Sequence, residues 1–201
     1  MDPFVPQKCV VDGTGSIFPV KLETRPIMPK VLACRVLSRE LEKLSPGTSY
    51  DFFEPRCHML RTPKFVEYVD SMLKDHRALI CGDCGGLAEM SRARGASIPP
   101  AADCIELLLG GNRREPHVLY LTDGWLENFD QIFGLVRLPE GARESALRSI
   151  LSSITNVVYI STGATGSREE EARELAELLG CEFSTVEGTL SGISSFLEDL
   201  D

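Results

Sequence analysis

The sequence predicts an α/β fold, a mainly parallel sheet with helices on both faces, in the manner of a Rossmann-like three-layer sandwich. Three observations lead there. Apolar runs of strand length, among them Val31 to Cys34, Ala78 to Ile80 and Val118 to Leu121, recur along the chain. Segments with a helical period separate them, and alternation of this kind gives parallel strands covered on both faces. The chain is also long enough, at 201 residues with 43% hydrophobic and 25% charged, to close one sizeable core.

In chain order, residues 1–30 carry five prolines and no helical period, so they are expected as an irregular arm ahead of a single α/β domain over 31–201. Val31 to Cys34 is the first strand, and Leu37, Leu41 and Leu44 line one face of the helix after it, which Ser45-Pro46-Gly47 stops. Ser49 to Glu54 alternates as a second strand. Thr62 is placed to cap the next helix, with Pro63 in its first turn and Phe65, Val66, Val69, Met72 and Leu73 as its apolar stripe. Ala78 to Ile80 is the third strand and Leu87 to Arg94 its helix. Ala96 to Ile98 is a brief fourth strand, and Ala101 to Leu109 a helix that Gly110-Gly111 ends. Val118 to Leu121 is the fifth strand, followed by a helix running to about Val136, and a further helix is expected over Arg143 to Ser152. Val157 to Ile160 is the sixth strand. Ser167 and Glu170 have the spacing of a capping box for the helix that Gly180 closes. Cys181 to Val186 and Leu190 to Leu200 complete the pattern as strand and helix.

The net charge of −9 disfavours nucleic acid as a partner. No apolar run reaches the length of a bilayer span, and the start of the chain lacks the basic and apolar regions of a signal peptide. Seven cysteines, an odd number, lie among periodic elements. That usage points to reduced thiols in the cytoplasm.

Parallel sheets place their sites beyond the carboxyl ends of the strands. Four donors of the kind metals use fall on such ends: Cys34, His58, Cys84 and Cys104, spaced 20 to 26 residues apart. This is no zinc-finger spacing; the fold must assemble it. Three thiolates and an imidazole suit zinc first and iron second. Cys84 and Cys104 also precede or open helices, a position that lowers a thiol's pKa. Asp103 and Asp123 lie beside these turns as candidate orienting groups or as an acid/base pair. Against this, cysteine is among the most buried residues, and any single one is more often a small core hydrophobe. Cys81-Gly82-Asp83-Cys84 is a C-x-x-C at a strand-to-helix turn, the alternative of a redox dithiol. Gly110-Gly111-Asn112-Arg113-Arg114 offers an anion cradle or a plain helix stop, and Ser161 to Gly166 a phosphate loop or a plain turn. Trp125, the sole tryptophan, lines a pocket or anchors its helix.

A set of motifs then narrows the choice. They are Ala33-Cys34 with Glu40-Leu41, Cys57-His58 with Pro63, Cys84-Gly85, Ala102-Asp103-Cys104-Ile105 with Leu107 to Gly110 and Arg113, and Tyr120 to Leu126, with Ser161-Thr162-Gly163 and Val186-Glu187-Gly188 as a weaker tail. Through them the chain, from about Val31 to about Leu197, resembles the domain-of-unknown-function 1638 family, met chiefly in methanogenic archaea and anaerobic bacteria. The resemblance implies that Cys34, His58, Cys84 and Cys104 form a Cys3His metal set, and that Cys57 and Cys81, at positions usually aliphatic and aromatic in the family pattern, lie outside it. The family pattern has arginine where Pro100 stands and commonly proline where Asp123 stands. The resemblance carries no established activity. It implies proximity to corrinoid-dependent methyl transfer, hence a metalloprotein of anaerobic one-carbon metabolism, enzyme or accessory factor, with a corrinoid contact and a corrinoid or methyltransferase protein as partner. Arg113 and Trp125 are then candidates to touch such a cofactor. The alternative is a binding module whose metal is structural.

Overall fold

The computed structural model describes residues 9–11, 17–19, 30–60, 62–112, 114–164 and 166–200. Within the arm, β1 (Cys9–Val11) and β2 (Ile17–Pro19) pair antiparallel, so the described part of it is a small hairpin.

The body is α/β with parallel strands, divided between two three-stranded sheets. In the first, β3 (Val31–Cys34) lies between β4 (Asp51–Phe53) and β5 (Ala78–Ile80), parallel to both. All four residues of β3 and all three of β5 are buried, as strands covered on both faces should be. Ser97 adds one parallel bridge to Ala78, its N–H and carbonyl reaching Arg77 and Leu79. The expected fourth strand goes no further because Pro99 and Pro100 have no N–H to offer a ladder. The second sheet orders β6 (Val118–Leu121), β7 (Asn156–Ser161) and β8 (Glu182–Glu187), again parallel. The sequence reading of one continuous sheet is thus replaced by two.

Helices surround both: α1 (Ser38–Leu44), α2 (Pro63–Leu73), α3 (Leu87–Ala93), α4 (Cys104–Leu108), α5 (Asp123–Glu127), α6 (Phe129–Ile132), α7 (Glu140–Ile150), α8 (Glu169–Leu179) and α9 (Ser191–Glu198). The helix expected after β6 is broken at Asn128, whose buried side chain donates to the Gly124 carbonyl at 2.8 Å and bends the chain between α5 and α6. One hydrophobic cluster runs through both sheets, from Leu32, Ile80 and Leu87 to Leu121, Val157 and Ala172.

The carboxyl ends of the two sheets meet. The 3-10 turn Arg35–Leu37, which follows β3, packs on α5, which follows β6. Gly124 permits the approach: a methyl group there would overlap the carbonyl oxygen of Val36. α1 fastens the seam with side chains. Lys43 donates to the Thr162 carbonyl at 2.9 Å, Arg39 to the Gly166 carbonyl at 2.7 Å, and Thr162 donates from its hydroxyl to the buried Glu40 at 3.0 Å.

Candidate thiol site

Each cysteine at the carboxyl edge of the first sheet is placed by the element before it. Cys34 ends the central strand and pairs in register with Phe53 of β4. Cys57 opens a 3-10 turn, Cys57–Met59, four residues beyond the end of β4. Cys81 and Cys84 follow β5 directly. Cys104 opens α4, which Asp103 caps by accepting from the Glu106 N–H at 2.9 Å, while the Glu106 carboxylate reaches back to the Ala102 N–H. The turns at 82 and 103 are stacked backbone on backbone: no side chain fits at Gly82 without overlapping Asp103. That contact holds Cys84 and Cys104 together, and the Cys104 backbone draws the Cys84 thiol down against its burial.

The five thiols lie within reach of one another's charge. Burial, then Cys104, pushes the Cys34 thiol well above its ordinary value. Burial, then the charges of Cys104 and Asp103, pushes Cys57 up to about 12; burial, then Cys57 and Asp103, does the same to Cys84, also to about 12. Cys104 is raised by burial first and Cys84 second, although the Trp125 indole N–H, 3.5 Å from its sulfur, pulls the other way. Arg114 also draws Cys57, Cys84 and Cys104 down. Helix N-termini were expected to lower these values. The structure corrects that: α3 and α4 have seven and five residues, and desolvation with like-charge crowding outweighs so short a dipole. Six cysteines, Cys34, Cys57, Cys81, Cys84, Cys104 and Cys181, are free thiols.

The other candidates have definite places. His58 is exposed; its Nδ1 meets the Gln131 carbonyl at 2.9 Å and its ring packs against Gly134. It lines an open groove with Glu54, Arg56, Gln131 and Arg137. Asp103 forms an ion pair with Arg114 at 2.7 Å, at the rim of a groove of about 730 Å³ shared with Glu106, Glu115 and Val118. Asp123 is buried on the other side of the molecule's seam. It accepts from the Tyr159 hydroxyl and, at 2.8 Å, from the Arg168 N–H, with Arg39 3.9 Å away. Each aspartate thus has its own partners, the first beside the thiols and the second at the foot of α8. Trp125 is buried, edge-on to Phe133, with its N–H on Cys104. Arg113 lies outside the described residues.

The alternatives resolve locally. Gly110 and Gly111 have positive φ and close α4, with the Gly111 N–H on the Glu106 carbonyl, so they stop a helix. In the loop after β7, carbonyls face Lys43 and Arg39, an arrangement for cations and not for phosphate. Cys81 is 1% exposed, and burial raises its thiol strongly.

Cys57, which the family pattern sets aside, and Arg114 are the residues near the thiols that the sequence reading did not select. A cysteine next to a histidine on one turn draws attention to the histidine; only the turn's rotation shows which one faces the cluster.

Residues 63–197, about two thirds of the chain, match the family model described as a protein of unknown function (DUF1638). The chain belongs to this family. Cys84 and Cys104 lie within the matched span, while Cys34, Cys57 and His58 precede it. No curated protein and no solved structure matches.

Proposed function

We propose that this DUF1638 member binds a thiophilic metal, zinc first and iron second, through Cys34, Cys84 and Cys104 with a fourth donor from the turn at 57–58. One observation supports the reading above the rest: successive strand-end turns bring their cysteines to one carboxyl edge. In chemistry the donors fit. Several desolvated thiols crowd where ionisation in the absence of a cation is costly, and a divalent ion reverses that balance. In geometry, among the described residues no group of three or more His, Cys, Asp or Glu is arranged to hold an ion. Ligation therefore asks the thiols to turn between staggered rotamers.

In this reading the chain's own residues prepare the site. The Trp125 indole N–H supports negative charge on the Cys104 sulfur, as outer partners of metal ligands do. Arg114, held by Asp103, adds a positive charge at the rim. A bound metal would supply Lewis acidity or fold stability. The groove beside Asp103 and Arg114 gives a surface for a reactant or a partner protein. The wider setting proposed is the cytoplasm and anaerobic one-carbon metabolism, with a corrinoid or methyltransferase protein as partner. Free thiols and the absence, among the described residues, of a helix able to cross a membrane are in keeping with that setting.

The test is elemental analysis of protein purified without oxygen. About one zinc or iron per chain is expected, lost in Cys84→Ser and Cys104→Ser. A metal-free wild type that also takes up no zinc or ferrous iron on reconstitution would refute the reading.

A further inference from the structure

We infer that the groove beyond β4 is a binding site for a small phosphorylated compound, its phosphate held between Arg56 and Arg137. The inference stands apart from the metal reading above. Among the described residues most arginines are paired with a carboxylate, Arg35, Arg94, Arg114 and Arg143 among them. Arg56 and Arg137 are not, and both line one groove of about 510 Å³. They come from the two segments that form it. Arg56 precedes the turn Cys57–Met59, and Arg137 follows α6, against which that turn packs. In a chain of net charge −9, two guanidinium groups facing one groove without carboxylates of their own are the exception. Glu54, the carboxylate that lines it, is already taken by Arg35 at 2.6 Å. The groove lies beyond the carboxyl end of a parallel strand, where such sheets bind ligands.

The parts of the groove are held in place. The Arg56 guanidinium lies 4.0 Å over the Tyr68 ring, and the Tyr68 hydroxyl accepts from the Glu54 N–H at 3.0 Å. Stacking on a ring fixes the guanidinium plane and leaves its N–H edge for an oxyanion. His58 is fixed as a wall: its Nδ1–H donates to the Gln131 carbonyl at 2.9 Å, and its ring rests on Gly134. Charge then selects the ligand. A phosphate monoester carries roughly −1.5 to −2 at neutral pH and matches two guanidinium groups, where a single carboxylate matches one. Size and apolar surface select the rest. The groove has the volume of a metabolite site, and Val136, 57% exposed, lines it together with Met59. The body of the ester would cover that apolar surface.

The experiment titrates the full chain by calorimetry with phenyl phosphate, inorganic phosphate and benzoate. The set is wild type, Arg56→Ala, Arg56→Lys, Arg137→Ala and Arg77→Ala, the last removing an exposed arginine outside the groove. Expected is about one phenyl phosphate per chain, bound in the millimolar range or tighter and ahead of both other probes. Arg56→Ala and Arg137→Ala should each weaken it about tenfold, the loss of one charge-assisted contact. Arg56→Lys, which keeps the charge without the fork, should fall between wild type and Arg56→Ala. Arg77→Ala should bind as wild type does. Arg137 is exposed, so its variant carries the test even where Arg56→Ala does not fold. A wild type that binds no phenyl phosphate would overturn the proposal. So would equal weakening in Arg77→Ala, the mark of diffuse attraction. Either other probe bound as tightly as phenyl phosphate would overturn it too, in favour of a carboxylate or the free ion.

Discussion

Two buried residues carry consequences out of proportion to their size. Gly124 stands where backbone of one half presses on backbone of the other, and its missing side chain is what lets the Val36 carbonyl approach. Gly124→Ala should cost about 1–3 kcal/mol through forced displacement, more than a surface change of the same size. Chemical denaturation reads this directly, and an unshifted midpoint would mean that the seam is looser than described. Glu40 is the second. It is fully buried, one carboxylate oxygen takes the Thr162 hydroxyl, and the other has no hydrogen-bond partner among the described residues. Burial chiefly raises its pKa. The folded state therefore holds a proton that the unfolded state releases, so this group's contribution is present below the ordinary glutamate range and is lost as pH rises through the raised value. Glu40→Gln, which cannot ionise, should flatten the fall in stability as pH rises above the ordinary glutamate range. Thermal melts of both proteins across that window check it; parallel curves would exclude the mechanism.

At the scale of elements, most strands were legible because short, wholly apolar runs bounded by turns have few other uses. Val31 to Cys34 and Ala78 to Ile80 are cases, confirmed with their ends on one edge. Helix ends were harder, since they hang on single side chains reaching far along the sequence. Ser167 and Glu170 have capping-box spacing, yet α8 begins only at Glu169 and no side chain caps it in that way. The carboxylate at its start comes from Asp123, some 45 residues earlier, through the Arg168 N–H. No local pattern could announce that. Asp123 thus complements a helix N-terminus and ties α5 to α8. Asp123→Ala should destabilise by about 1–3 kcal/mol, because the Arg168 N–H and the Tyr159 hydroxyl both lose their carboxylate acceptor and keep only 3.3 Å contacts. Hydrogen exchange should report it first at the start of α8; uniform loss of protection with no local excess would argue for a different role.

For the whole molecule, the division into two sheets was not legible, because strand pairing is a long-range choice that periodicity does not encode. Pro99 and Pro100 mark the break only in retrospect. What was legible of the candidate site is the shared carboxyl edge of Cys34, Cys84 and Cys104; which neighbouring side chains face it was not, since the 3-10 turn at 57–59 turns His58 toward Gln131. If the edge holds a metal, folding and binding are linked. Zinc at 100 times its dissociation constant should add about 2.7 kcal/mol, or roughly 5–10 °C in melting temperature for a chain of this size. A chelator should reverse the shift, and Cys181→Ala, whose thiol bonds to the Ile154 carbonyl in the second half, should preserve it. A zinc-independent melt would count against the linkage.

β8 has one further consequence. It is the outermost strand of the second sheet, and four of its residues in a row, Ser184 to Glu187, are exposed. Such a border would recruit a stranger's strand and seed fibres, were it apolar throughout. Here the strand begins at Glu182 and ends at Glu187, and it runs beside a neighbour of the same direction. An invading β8 from a second copy, laid alongside in register, would bring like charges together at both ends. The acidity that makes the chain so negative overall is thus also spent locally, in keeping one molecule from growing onto the next.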